Sequence, residues 1–209
     1  EEKHLDLHYI DPLADYYNVI KRRHNRNLPD IEFGMMEHIS TTWKGPKASL
    51  CIICNALDHS SSPMQGIMEA LKVLKVGGCL YLNHHPNEAE AEHYKGFHKF
   101  NICTDEQKRL IIWNKKDRIV VDDVLSEYAS ISTQTLENGF VVAVITKKAE
   151  IPEKAEQVYS SEELRAMIME PSKSFGFKLK YSWYNFIQFF VQALSWENKQ
   201  KLKKLLEFK

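Results

Sequence analysis

Apolar and polar positions follow two alternating periods along the first two thirds of the chain. Leu5 to Ile10 alternates as a short strand does, and Asp11-Pro12 ends it, because proline supplies no donor to a strand ladder. Leu13 to about Asn25 has the pattern of a helix. It closes in Lys21-Arg22-Arg23, and basic side chains suit the negative end of a helix. Asp30 to Gly34 predicts a second short strand. Ala48 to Cys54 is a continuous apolar run with polar neighbours, the pattern of a strand covered on both faces.

Ser60-Ser61-Ser62-Pro63 then predicts a helix start, with Ser62 as cap and proline in the first turn. Met64, Ile67, Met68, Leu71 and Leu74 continue with helical spacing, and Gly77-Gly78 is expected to close the helix. Cys79 to Leu82 is the next strand. Strand, helix and strand in this order predict a βαβ unit and hence an α/β fold with a parallel sheet.

Beyond residue 109 the pattern turns to hairpins. Arg109–Trp113 and Arg118–Val121 flank Asn114-Lys115-Lys116-Asp117. Tyr128–Thr135 and Phe140–Thr146 flank a turn holding Asn138-Gly139, a strong hairpin signal. Antiparallel pairs are thus expected to finish a sheet that begins parallel. After Lys147-Lys148 the chain becomes charged and helical in pattern. A domain over residues 1–148 and a helical extension over 149–209 follow, with Ser195 as cap of a last helix whose stripe is Leu202, Leu205 and Leu206.

Composition narrows the class. With 28 basic and 28 acidic residues the formal net charge is zero, which disfavours broad binding to nucleic acid. Four cysteines lie in or beside apolar runs and read as reduced thiols of a cytoplasmic protein. Cys51 and Cys54 form C-x-x-C inside a strand-like run with no second pair, so a zinc or redox role is not expected. The opening residues contain no apolar leader segment, and Trp183 to Leu194 is too short and too polar to span a membrane. The lysines at 199, 201, 203 and 204 beside the last stripe suit an anionic membrane surface or a second subunit. The aromatic residues from Trp183 to Trp196 favour packing, so a homo-oligomer through the C-terminal helices is expected.

Open parallel sheets bind ligands at the carboxyl ends of their strands. Those positions carry Asp11, then Met35-Met36-Glu37, then Asn55-Ala56-Leu57-Asp58-His59, then Asn83-His84-His85-Pro86-Asn87-Glu88. An acid after one strand suits ribose hydroxyls, and histidines at two neighbouring edges suit proton transfer. Each has a plainer reading. Asp11 shapes a turn, Asp58 enters a helix, and the histidines, His98 included, are ordinary surface or core side chains. Histidines with Glu88 also suit several divalent ions, yet no compact motif such as H-E-x-x-H occurs, and no metal is assigned.

In their order, Tyr9-Ile10-Asp11-Pro12-Leu13-Ala14, Gly34-Met35-Met36-Glu37, Cys54-Asn55-Ala56-Leu57-Asp58-His59 and Ala70 to Gly78 resemble class I S-adenosylmethionine-dependent methyltransferases. The resemblance covers roughly residues 5–147. Within the class, Asn87-Glu88-Ala89-Glu90 and Tyr94-Lys95-Gly96-Phe97-His98 look like bacterial methyltransferases associated with surface-glycan genes. The resemblance implies a Rossmann-like, mostly parallel sheet ending in an antiparallel hairpin with one reversed strand. It also implies S-adenosyl-L-methionine as cofactor, held by Asp11 and Pro12 at the ribose, by Met35, Met36 and Glu37 at the adenine, and by Asn55 and Ala56 beneath the methionine. Asp58 and His59 would face the transferred methyl group. His59 is the first candidate base, His85 the second and His98 the third.

The family's first strand and its G-x-G loop should precede Asp11 by about 20 residues. Only ten residues stand there, and no G-x-G occurs anywhere in the chain. The expectation is therefore a fragment of a longer protein; the other reading is a chain that has lost cofactor binding. The activity expected is methyl transfer to a hydroxyl of a sugar or glycan precursor. Oxygen is favoured because Asn55-Ala56-Leu57-Asp58 lacks the prolines and aromatic residue of many nitrogen methyltransferases. The alternative is a methyltransferase-like module without catalysis that binds partners through its C-terminal helices.

Overall fold

The structure is a computed structural model that describes residues 6–152 and 162–166. Contacts divide the chain into two compact units, 1–161 and 162–209. Of the second, residues 162–166 are helical. The expected cap at Ser195, the stripe from Leu202, the lysines near 200 and the aromatic run from Trp183 lie outside the described residues.

The first unit opens with β1 (Tyr9–Asp11), α1 (Ala14–Arg23) and β2 (Ile31–Phe33). β1 and β2 pair in parallel, with Asp11 opposite Phe33. The Asn18 side chain fastens α1 to β2. Its amide donates to Ile31 O at 2.7 Å, and its oxygen accepts from Ile31 N at 3.0 Å. A short turn at Met36–His38 and α2 (Ile39–Thr42) follow, then β3 (Ala48–Cys54), a second turn at Leu57–His59, α3 (Pro63–Val73) and β4 (Leu74–His84). The remainder is α4 (Glu88–Ala91), β5 (Asn101–Thr104), β6 (Leu110–Trp113), β7 (Arg118–Val120), α5 (Val121–Leu125), β8 (Ala129–Thr135) and β9 (Val141–Lys147).

The predicted α/β character holds, but the sheet is mixed rather than mostly parallel. Strands β3, β4, β9 and β8 lie side by side in that order, with β3 and β4 parallel and β9 antiparallel to both its neighbours. Strands β5, β6 and β7 form an antiparallel sheet of their own instead of extending the first one. Both hairpins sit where the turn residues place them. Gly139 has φ +85°, a backbone conformation that a side chain would strain.

Three local readings change. α3 ends at Val73, and Leu74 is already extended, so Gly77-Gly78 lies within β4 and not at a helix end. The need for glycine at 78 is only partly local: a Cβ there would stand 2.9 Å from Lys75 O, and also 3.1 Å from Ser49 O and 3.2 Å from Ala48 O across the β3 pairing. Ser62 makes no side-chain cap. Glu37 instead fastens the residue ahead of the cap, accepting from Ser61 N at 2.7 Å and from Ser61 Oγ at 2.8 Å. β3 is not covered on both faces either: Leu50 and Ile52 are 55% and 60% exposed, on an edge strand of its sheet.

The core is assembled from α3 (Ile67, Ala70, Leu71), β4 (Leu74, Leu80, Leu82), β9 (Val141, Ala143, Ile145) and α5 (Val121, Leu125). Full burial of one such aliphatic side chain contributes about 1.5–3 kcal/mol. Ile151 belongs to the same core. Lys147 is buried as well, donating to Leu74 O at 2.8 Å and to Glu150 Oε2 at 2.6 Å. Among the described residues no helix is long and apolar enough to cross a membrane.

Candidate active site

β3 and β4 are parallel and end together, and Asn55 joins the two ends. Its N–H donates to Asn83 O at 2.8 Å, and its side-chain oxygen accepts from His85 N at 3.0 Å. Asn55 has φ 46°, a left-handed conformation that asparagine tolerates better than most residues. It therefore acts as the clamp that sets the direction of the loop beyond β3.

That loop carries Leu57, Asp58 and His59. Leu57 is fully buried and pins the turn, Asp58 is 2% exposed, and His59 faces solvent. The chain after α4 returns to the same place, where Lys99 N donates to Asp58 O at 2.9 Å. His98 Nδ1 lies 2.7 Å from Asp58 Oδ2, His59 Nε2 lies 3.3 Å from the same oxygen, and the two ring nitrogens are 3.2 Å apart. The rings meet edge to face with centroids 4.6 Å apart, beside an exposed Phe97. Asp58 Oδ1 is buried without a hydrogen-bond partner among the described residues.

His84 stands at the predicted binding edge, yet the sequence assigns it no catalytic or cofactor role. It is buried at the end of β4, and its Nε2 has no partner among the described residues. Burial pushes its pKa down to about 4, partly offset by the nearby Asp58 carboxylate and reinforced by His59. Strand parity carries the signal for its burial, since Leu80, Leu82 and His84 share one face of β4 and all three are buried.

The other predicted residues occupy different surroundings. His85 is exposed and packs edge to face on Phe140, with Nδ1 3.2 Å from Pro86 O. Asp11 Oδ1 accepts from Leu13 N at 2.7 Å, which makes the turn at the end of β1, with Pro12 exposed inside it. Met36 packs on α3 so closely that a Cβ on Gly66 would stand 2.9 Å from its sulfur. The buried Glu37 carboxylate is engaged by Ser61 just ahead of α3, which turns it away from the role expected at the adenine. Ala56 is half-buried ahead of the Leu57 turn. Cys51 and Cys54 lie three apart on β3, a spacing that points them to opposite faces.

Comparison with family models and with curated proteins finds no match. Among solved structures the chain is similar to a SAM-dependent methyltransferase from Thermotoga maritima, at 15% identity over 66% of this chain and 72% of that one, with a TM-score of 0.41. It is similar to the N-methyltransferase NodS from Bradyrhizobium japonicum in complex with S-adenosyl-L-homocysteine, at 12% identity over 68% and 65%, with a TM-score of 0.40. An O-methyltransferase family protein from Burkholderia thailandensis matches at 11% identity over 68% of this chain and 43% of its own, with a TM-score of 0.42.

Proposed function

We propose that the protein is an S-adenosylmethionine-dependent methyltransferase acting on a hydroxyl of a sugar or glycan precursor. The observation that supports this most is the sheet order β3-β4-β9-β8, in which β9 alone runs reversed. It is the ending that the sequence resemblance implies, and it brings the carboxyl ends of β3 and β4 together beside a histidine-rich loop.

S-adenosylmethionine supplies an electrophilic methyl group when bound. The donor set at the strand ends fits it at the ribose, where Asp11 Oδ1 closes the turn after β1 and the carboxylate charge would hold vicinal hydroxyls. Met35 would border the adenine, and Met36 and Glu37 would set that edge by packing on α3. Asn55 and Ala56 would support the methionine side. At the other end, Asp58 orients His98 and neighbours His59, the more exposed of the two rings and the base of this reading. A hydroxyl attacks only as its proton leaves, and an imidazole nitrogen beside a carboxylate is suited to receive it.

The test is a calorimetric titration of the protein with S-adenosylhomocysteine, followed by transfer of labelled methyl to a panel of free and nucleotide-linked sugars. Saturable binding that Asp11→Asn weakens by about tenfold or more supports the reading. Absence of saturable binding in the folded protein overturns it.

A further inference from the structure

We infer that Asp58, His59 and His98 form a binding site for one divalent transition-metal ion. Their three inward atoms, Asp58 Oδ2, His98 Nδ1 and His59 Nε2, make a triangle with sides of 2.7, 3.3 and 3.2 Å. An ion bonded at roughly 2.0–2.2 Å to nitrogen and oxygen ligands holds neighbouring ligand atoms about 3 Å apart. The triangle therefore has the size of one face of a coordination shell.

Hydrogen bonding alone leaves the cluster short. A single proton between His98 Nδ1 and Asp58 Oδ2 satisfies that pair. His59 Nε2 then faces a nitrogen at 3.2 Å and an oxygen at 3.3 Å that is already engaged. Asp58 supplies an independent sign, since its Oδ1 is buried and unpartnered in a residue only 2% exposed. A buried carboxylate with so few donors is costly unless a positive charge stands beside it. One cation satisfies all three inward atoms and offsets that charge.

The surroundings suit a metal as well. Buried Leu57 and the Lys99 N to Asp58 O bond hold the two loops in place without the ion. The His59 and His98 side chains are 43% and 24% exposed, so the outward side is open for water or a substrate oxygen to complete the shell. Two imidazoles and one carboxylate favour zinc, cobalt, nickel or iron over magnesium and calcium, which prefer all-oxygen shells. An ion here takes the Nε2 lone pair of His59, so that ring accepts a proton only in the metal-free protein. The site needs only these three side chains and does not depend on the methyl-transfer reading.

Chelator-treated protein, titrated with zinc chloride by calorimetry and with cobalt chloride by visible absorbance, should bind one ion per chain and develop cobalt d–d bands. His59→Ala and His98→Ala should each weaken zinc by about tenfold or more, while His24→Ala and His85→Ala leave it unchanged. Circular dichroism of each variant shows whether it is folded. No saturable binding to the wild type, or binding that survives both His59→Ala and His98→Ala, overturns the site. S-adenosylhomocysteine titrations of the same samples report separately on the methyltransferase reading, so zinc binding without S-adenosylhomocysteine binding retires that reading and keeps the metal site, and the reverse result does the opposite.

Discussion

Asp58 Oδ2 lies 2.7 Å from His98 Nδ1, joining side chains 40 positions apart in the chain. The contact holds a nearly buried carboxylate to a ring on a loop with little regular structure of its own. Removing the ring leaves Asp58 with fewer donors in the same buried place. His98→Ala is therefore expected to lower stability by about 1–3 kcal/mol, measured by urea unfolding of chelator-treated protein. Unchanged stability would mean that water replaces the ring without loss.

Under the proposed activity, His59 and His85 have unequal roles. His59 stands in the cluster with Asp58 and His98, whereas His85 packs on Phe140. In metal-free protein, His59→Ala should reduce turnover by roughly 10²–10⁴-fold while leaving cofactor affinity intact. His85→Ala should stay near wild type. Initial-rate assays that gave the opposite ranking would transfer the base role to His85.

Asp11 serves the turn through Oδ1, and under the proposed function its charge serves the cofactor. Two substitutions separate these roles. Asp11→Asn keeps an acceptor for Leu13 N and should leave the melting temperature unchanged while weakening cofactor by about tenfold or more. Asp11→Ala should lose the same affinity and about 1 kcal/mol of stability besides. Equal affinity in wild type and both variants, read by calorimetry, would leave Asp11 with the turn alone.

His84 makes stability depend on pH. Burial lowers its pKa from 6.5 to about 4 in the folded chain, so between these values the unfolded chain binds more protons. Its contribution is complete above pH 6.5 and is lost as pH falls towards 4, a loss of about 3 kcal/mol. Urea unfolding of chelator-treated protein at pH 7 and pH 5 should show the decline, and His84→Leu should flatten it. An equal slope in that variant would assign the effect to other groups.

Cys51 and Cys54 should differ sharply towards alkylating reagents. Burial pushes the Cys51 thiol up to about 11, whereas Cys54 is exposed at the end of β3. Because the thiolate is the reacting form, iodoacetamide at pH 8 should label Cys54 well before Cys51. Peptide mass spectrometry reads the order directly, and prior labelling of Cys51 would contradict the burial.

Much of the local structure was legible in the sequence by itself. Asn138-Gly139 specifies a tight turn between β8 and β9 because few other residues accept its backbone angles. Pro63 marks the start of α3, and the period of apolar residues to Leu71 identifies its buried face. Asn55 and His59 could be placed at the end of β3, since a strand's end follows from its own composition. These features depend on neighbours within a few positions, where propensity and periodicity act.

Tertiary structure decided what lies across the chain. Gly77-Gly78 has the form of a helix terminator until β3 is set beside it and the Ser49 and Ala48 carbonyls are seen to crowd position 78, together with Lys75 O. The separation of β5, β6 and β7 into their own sheet leaves no periodic signal, because an antiparallel hairpin has the same pattern in either sheet. The candidate site shows this most clearly. Asp58 and His59 are adjacent in sequence, but their partner is His98, brought in by the return between α4 and β5 and fixed by the Lys99 backbone. A contact between loops so far apart depends on the packed strands and helices beneath them, and composition near either residue carries no trace of it.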